Sequence, residues 1–239
     1  MPEKFLTAEW RKLILANYRI DPTILKKHVP HKTELDLWND QCYVSLVGFR
    51  FQNVKVKGLT IPFHANFPEV NLRFYVRYRE NNSSEWKRGV VFIKEIVPKR
   101  AITFVANTLF REHYVTMLMK HSWEANDNFL KIGYQWKFRK KWNQVSVKTT
   151  ITSDPLPAGS AEEFFTEHFW GYSAVSNLKT GEYHVAHARW ETYSVKEYFI
   201  DCDFKNLYGE EFSELTTRKP DSVILAEGSP VNVFMKKLI

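Results

Sequence analysis

The sequence predicts a mostly β, α+β chain built as one large antiparallel sheet system that can curl into a barrel. Three observations carry this. About ten segments show strand-like patterning, against two or three short helical stretches. Aromatic residues make up 15% and apolar residues 44%, enough for a sizeable core. No flexible linker interrupts the 239 residues, a length that single β barrels and sandwiches reach.

The elements follow in order. Leu13 to Tyr18 reads as a first strand. Asp21-Pro22 starts a short helix over Thr23 to His28, with Asp at the N-cap and Pro in the first turn, stopping before Pro30. A brief strand at Leu35 to Trp38 precedes the turn Asn39-Asp40, and Tyr43 to Gln52 is the next strand. Pro62 and Pro68 break an irregular stretch from Gly58. Phe67 to Arg79 then forms one long strand, which pairs as a hairpin with Trp86 to Ile93 across the polar turn Asn81-Asn82-Ser83-Ser84. Lys99 to Met119 is expected to be helical in part, on the stripe Ile102, Val105 and Leu109.

From Ser122 onward β patterning dominates. Trp123 to Asn126, Phe129 to Phe138 and Val145 to Thr152 read as consecutive antiparallel strands, with turns at Asp127-Asn128 and Lys140 to Asn143. Ser160 and Glu163 have capping-box spacing, and the helix they open is expected to end near Trp170-Gly171. Further strands are expected at Tyr172 to Ser176, Tyr183 to Ala188, Glu191 to Tyr198, Val223 to Ala226 and Val231 to Lys236, with Thr180-Gly181 in a turn. The whole chain, 1–239, is read as a single domain.

The long strand at Phe67 is where a site is expected. Side chains two apart share a face of a strand. Val70, Leu72, Phe74, Val76 and Tyr78 make one face apolar, while Glu69, Asn71, Arg73, Tyr75, Arg77 and Arg79 make the other polar and aromatic. If the second face looks into a shielded cavity, Arg73 can grip a carboxylate with two hydrogen bonds and Glu69 can act as an acid or base once burial raises its pKa. If it looks into water, it is ordinary sheet surface. Arg111-Glu112-His113-Tyr114 concentrates polar groups after an apolar segment, and Arg111 and Tyr114 are candidates to complete a pocket wall; a helix end favouring cationic side chains is the alternative.

Other chemistries find less support. His184 and His187 lie three apart, on opposite faces of a strand, so one metal ion cannot take both without ligands such as His168 from elsewhere, and no metal is implied. The run Lys137 to Trp142 can stack bases and neutralise phosphates, yet it falls at a hairpin tip where lysines protect an edge. The formal charge of +7 permits acidic partners without requiring them. Phosphate-binding glycine loops, Gly-x-Ser-x-Gly, His-Glu-x-x-His and Cys-x-x-Cys are all absent, and no cofactor is implied. Two cysteines, Cys42 and Cys202, no secretory pattern in Met1 to Lys12 and no apolar run near the ~18 residues of a membrane span predict a cytoplasmic protein.

Several segments together resemble a known group. They are Asn17-Tyr18-Arg19-Ile20-Asp21-Pro22, Tyr43 to Phe49, Phe67 to Val76, Arg88-Gly89-Val90-Val91-Phe92, Glu167-His168 with Tyr172, and His187 with Trp190. This pattern is similar to the YqjF-like family of uncharacterised bacterial proteins, whose fold resembles that of acetoacetate decarboxylase. The resemblance implies a cone-like closed barrel with flanking strands, two or three short helices and a central cavity, with Glu69 at the place of a cavity glutamate. In the decarboxylase a cavity lysine forms a Schiff base and an adjacent lysine lowers its pKa. The matching region here, Phe110 to Tyr114, has no lysine, and the pairs Lys26-Lys27, Lys140-Lys141 and Lys236-Lys237 fall in segments read as helix, turn and tail.

Three functions therefore stand open: a cavity that binds a small anionic, carboxylate-like ligand through Glu69, Asn71, Arg73, Arg111 and Tyr114; a lyase or decarboxylase-like enzyme acting on keto acids without an imine-forming lysine; and a nucleic-acid-binding module. A homodimer is allowed by the sequence and not demanded by it.

Overall fold

The computed structural model describes residues 3–82 and 84–239. Fourteen strands form one continuous sheet. Those that matter here are β1 (Lys4–Arg19), β2 (Glu34–Leu35), β3 (Tyr43–Val56), β4 (Phe67–Tyr78), β5 (Lys87–Val97), β6 (Tyr114–Thr116), β7 (Leu118–Ala125), β8 (Leu130–Phe138), β9 (Lys141–Pro155), β10 (Trp170–Ser176), β11 (Lys179–His187), β12 (Glu191–Asp201) and β13 (Ser222–Phe234). A last pair, Lys237–Leu238, adds to the edge of β11.

Seven of these strands close on themselves in the order β11-β10-β5-β4-β3-β1-β13, the ring being completed by β13 against β11. The other main branch leaves β13 through β12 and runs β9, β8, β7 as a wing. The wing folds back over the outer face of β1, β3 and β4, so the molecule has two cores. Ile14, Ala16, Val44, Leu46, Val70, Leu72, Phe74 and Val76 point outward and meet Ile132, Tyr134, Trp136 and Val145 of the wing. Leu13, Leu15, Val47, Phe49, Phe51 and Tyr75 point into the barrel. The alternation in the sequence thus separates two packed faces, and neither face of β4 meets bulk water. Gly48 allows the close approach: a Cβ there would sit 2.8 Å from the Tyr134 ring.

β13 belongs to both the barrel and the wing because it changes partner along its length. Leu225 and Ala226 pair with β12, whereas Val231 to Val233 pair with β11. The switch is made at Gly228, which has φ of 84° and passes the Trp10 carbonyl so closely that a Cβ would lie 1.9 Å from its oxygen. This is why the tail, expected as two strands at Val223 to Ala226 and Val231 to Lys236, is a single bent one.

Helices are few and short. α1 (Pro22–Leu25) is capped by Asp21, whose carboxylate accepts from Thr23 N at 2.8 Å, and continues as a 3-10 turn to His28. α2 (Arg100–Val105) runs into a π-helical turn, Ala106–Phe110, and ends at Arg111 in the left-handed region with φ of 54°. α3 (Ala161–Thr166) is capped by Ser160, whose hydroxyl accepts from Glu163 N. The Glu163 carboxylate accepts from Gly159 N, one residue before the expected partner. α3 stops well before Trp170, because β10 starts there. α4 (Phe204–Tyr208) and a following 3-10 segment, Glu210–Thr216, plug the outer core with Phe204, Leu207 and Phe212.

Other boundaries differ from expectation in instructive ways. β1 is sixteen residues long, because its charged first half still reaches the inner core through Phe5 and Ala8, across a register shift between Thr7 and Glu9. Thr180 and Gly181 lie inside β11, paired with Ala174 and Ser173, rather than in a turn. The hairpin between β8 and β9 turns at Arg139-Lys140 alone, with Arg139 at φ of 53°, so Lys137 and Lys141 to Asn143 are strand residues. The expected turn between β4 and β5 includes Ser83, which lies outside the described residues. Cys42 and Cys202 are both free thiols in the outer core, and burial raises their pKa values. Among the described residues no helix is long and apolar enough to cross a membrane.

Candidate functional site

The barrel is not filled. A cavity of about 220 Å³ lies inside it, walled mainly by aromatic and aliphatic side chains from β1, β3, β5, β11 and α2. It meets the surface where its lining includes the exposed residues Ile61, Ala101 and Val105. Pockets of this kind, apolar with a few convergent polar groups, are where small molecules bind.

β4 supplies the first polar row. Glu69, Asn71 and Arg73 all face the cavity and are 2%, 1% and 8% exposed. Asn71 Nδ2 donates to Glu69 Oε1 at 2.9 Å, and the Tyr114 hydroxyl donates to Glu69 Oε2 at 3.1 Å. Arg73 reaches across to α3, where its Nη2 donates to the Phe165 carbonyl at 3.1 Å, and its guanidinium lies 5.7 Å from the centre of the Tyr75 ring. Its Nε has no partner, and no carboxylate lies within ion-pair distance of it among the described residues.

Two further carboxyls enter from neighbouring elements. Glu95 pairs with Asn71 across the β4–β5 ladder. It faces inward because β5 carries a bulge: Leu72 pairs with Lys94 and Arg73 with Phe92, leaving Ile93 as the extra residue. Phe92 and Glu95 therefore both line the cavity despite odd spacing, as a bulge allows. Glu112 enters from the extended segment after α2. The left-handed turn at Arg111 sends Arg111 and His113 outward and Glu112 and Tyr114 inward. Arg111, expected to help bind a ligand, is therefore exposed and does not line the cavity, and Glu112 occupies the interior instead.

Burial dominates the electrostatics. It lifts the Glu69 carboxyl to about 7 against the opposing hydrogen bonds from Asn71 and Tyr114 and the charge of Arg73. It lifts Glu112 to about 8, and pushes Glu95 well above the usual carboxylate range, helped by the neighbouring charges of Glu112 and Glu69. The hydroxyls of Tyr114 and Tyr183 are pushed up as well, first by burial and then by these carboxylates. Charged carboxylates are costly in such a setting, so Glu95 and Glu112 hold protons near neutral pH and Glu69 is poised between its two forms. Arg73 is then the one lining side chain that carries a permanent charge.

At the Arg73 end sits His168, just past α3. Its Nε2 is 3.1 Å from Asp36 Oδ2, which also accepts from Arg88 Nε at 2.6 Å, and its ring packs 4.7 Å from that of Tyr75. Burial lowers the imidazole to about 4, more than the Asp36 hydrogen bond raises it, so it is neutral and its Nδ1 lacks a protein partner. Among the described residues no lysine lines the cavity. Lys236 lies closest in electrostatic terms, half-buried beyond Glu112, with its pKa lowered by burial. His184 and His187 serve packing, His184 against Trp170 and Phe234 and His187 stacked on Trp190.

The profile of DUF2071, a family described as uncharacterised conserved proteins, matches residues 7–230 of this chain. The chain belongs to the DUF2071 family. It is 28% identical over 175 residues to the uncharacterised protein YqjF of Bacillus subtilis, covering 70% of this chain and 67% of that one. Among solved structures it resembles acetoacetate decarboxylase from Legionella pneumophila, with a TM-score of 0.64 and 13% identity over 100% of this chain and 87% of that one. The enduracididine biosynthesis enzyme MppR, solved in complex with pyruvate, gives a TM-score of 0.67 at 11% identity, over 100% of this chain and 91% of that one. At such identities the likeness speaks for the fold: this DUF2071 protein has the acetoacetate-decarboxylase-like barrel.

Sequence reasoning named Glu69, Asn71, Arg73 and Tyr114, and these four line one cavity. It missed Glu95, Glu112 and His168. The parity of Glu112 with Tyr114 was a usable signal for one of them; the bulge at Ile93 left none for Glu95.

Proposed function

We propose that this DUF2071 protein binds a small organic anion, a carboxylate, inside its barrel, with Arg73 as the anchor and the carboxyls of Glu69, Glu95 and Glu112 as hydrogen-bonding walls. The observation that carries the reading is the buried Arg73 guanidinium, which has a single carbonyl partner and an unpartnered Nε. A buried cation without a counter-ion is expensive, and a carboxylate that forms two hydrogen bonds to it relieves that cost. The apolar remainder of the cavity favours a ligand with a short hydrocarbon body. Titration calorimetry with a panel of small carboxylates is the test. Arg73→Met keeps the length and apolar stem of the side chain, and it should weaken every binder at least tenfold. Equal affinity in the two proteins would refute the anchor.

A second reading is an enzyme acting on keto acids. Glu69 favours it, since a carboxyl near 7 held by Tyr114 is suited to proton transfer. The neighbours named above, a decarboxylase and a protein solved with pyruvate, make keto acids sensible probes. With no lysine in the lining, no imine forms, so borohydride treatment in the presence of a β-keto acid should leave the intact mass unchanged. A stable adduct would contradict this.

A further inference from the structure

We propose that the ligand is an amino-carboxylate, with its carboxylate on Arg73 and its protonated amine among the acceptors of Glu69, Asn71 and Glu95. This rests on the anion reading above, since it keeps Arg73 as the anchor, and it adds the chemical class of the ligand.

The argument begins with what the cavity lacks. Its unpartnered buried atoms are Asn71 Oδ1, Glu95 Oε2, Glu112 Oε1 and His168 Nδ1, against two donors, Arg73 Nε and the indole Nε1 of Trp10 on the β1 wall. Asn71 is 1% exposed and Glu95 2%, so water competes poorly for either. Buried polar groups need partners. A keto acid brings only acceptors: it serves Arg73 and can accept from a protonated carboxyl, but it offers nothing to Asn71 Oδ1 or His168 Nδ1. An ammonium group brings three donors, which Asn71 Oδ1 and the carboxyl oxygens of Glu69 and Glu95 can accept.

Placement agrees. Asn71 lies two residues from Arg73 on the same face of β4, a step of about 6.5 Å, and Glu95 is its ladder partner. The carboxylate and amine of one small molecule can therefore contact Arg73 and the Asn71–Glu95 pair together. The charges agree as well. The polar groups facing this point are Glu69, Asn71 and Arg73 from β4, Glu95 from β5, Glu112 and Tyr114 after α2, and Tyr183 from β11. His168 beside Arg73 is neutral, and Lys236 stands behind Glu112. The face of α2 on the cavity is apolar, formed by Ala101, Ile102 and Val105. A cation among three carboxyls draws them toward ionisation, so an amine that binds here expels protons from the protein. A carboxylate seated alone has the opposite effect, because added negative charge raises its acidic neighbours.

The test is titration calorimetry of the full chain near neutral pH, in two buffers of different ionisation enthalpy. The probes are matched pairs: norvaline with pentanoate, leucine with methylpentanoate, and phenylalanine with phenylpropionate. The amino member of at least one pair should bind tenfold or more tighter than its partner and release protons. Glu95→Gln should remove most of that preference, read as the ratio of the two affinities within each pair. Des-amino acids that bind as well as the amino acids, through Arg73 and without proton release, overturn this inference and leave the anion reading standing. Amino acids whose binding is indifferent to Arg73→Met, or the absence of binding by either set, overturn both.

Discussion

At the scale of single residues, the site depends on groups held out of water in the state water would not give them. Glu112 shows it best. Its carboxyl is raised from 4.5 to about 8 by burial in an apolar wall. The folded protein keeps this proton while the unfolded chain loses it near 4.5. Stability therefore falls as pH rises from about 4.5 to about 8 and is level above that window. Glu112→Gln removes the Glu112 share of that slope and leaves the shares of Glu69 and Glu95. Relative to the parent, the variant should gain on the order of 2 kcal/mol, a few degrees in Tm, between mildly acidic and mildly alkaline pH. Thermal melts of both proteins across that range check it; parallel curves would show that Glu112 is not buried in this way. His168 has the opposite tendency. Its lowered pKa makes the fold lose stability as pH drops below the ordinary histidine value of 6.5 toward about 4, so the two effects oppose each other between about 4.5 and 6.5 and only the Glu112 slope acts above that.

At the scale of elements, two backbone irregularities make the site. The bulge at Ile93 turns Glu95 inward, and the bend at Gly228 lets β13 leave the wing and close the barrel. Gly228→Ala would need a left-handed conformation and would place a methyl against the Trp10 carbonyl. It should cost at least about 2 kcal/mol and lower Tm by several degrees, whereas Gly58→Ala, also at positive φ (82°) but with no atom within 4 Å of the added methyl, should cost only the strain of that conformation, about 1 kcal/mol. A melt that leaves Gly228→Ala unchanged would mean the closure does not rely on that conformation. These irregularities also mark the limits of reading the chain alone. Strict alternation along β4 was legible, and with it the common face of Glu69, Asn71 and Arg73. A bulge shifts the alternation by one without a residue type that announces it, so Glu95 could not be assigned a face. The left-handed Arg111 likewise puts Glu112, rather than Arg111, inside beside Tyr114. Gly228 sat between two apparent strands and looked like a break, when it bends one.

At the scale of the molecule, the barrel and its wing form one continuous sheet with a core on each side of β4. The antiparallel β class and the closed, acetoacetate-decarboxylase-like architecture were readable from the spacing of strands and from the family segments. The wing's role was not: covering an outer apolar face and filling a barrel produce the same alternation in a sequence, and only the tertiary arrangement tells them apart. The same holds for α4, whose five residues are too short to show a helical period. The outer face of β4 packs against the wing, while the inner apolar side chains pack around a cavity that also holds the costly polar groups Glu69, Asn71 and Arg73.

The most direct test of that claim is a crystal structure of the protein soaked with pyruvate as a small carboxylate probe, read at Arg73. The account predicts density inside the barrel with carboxylate oxygens about 3 Å from the guanidinium nitrogens and the hydrocarbon end toward the aromatic wall. An interior closed by Phe and Tyr side chains, or a carboxylate found only on the outer surface while Arg73 pairs with a protein acid, would contradict it.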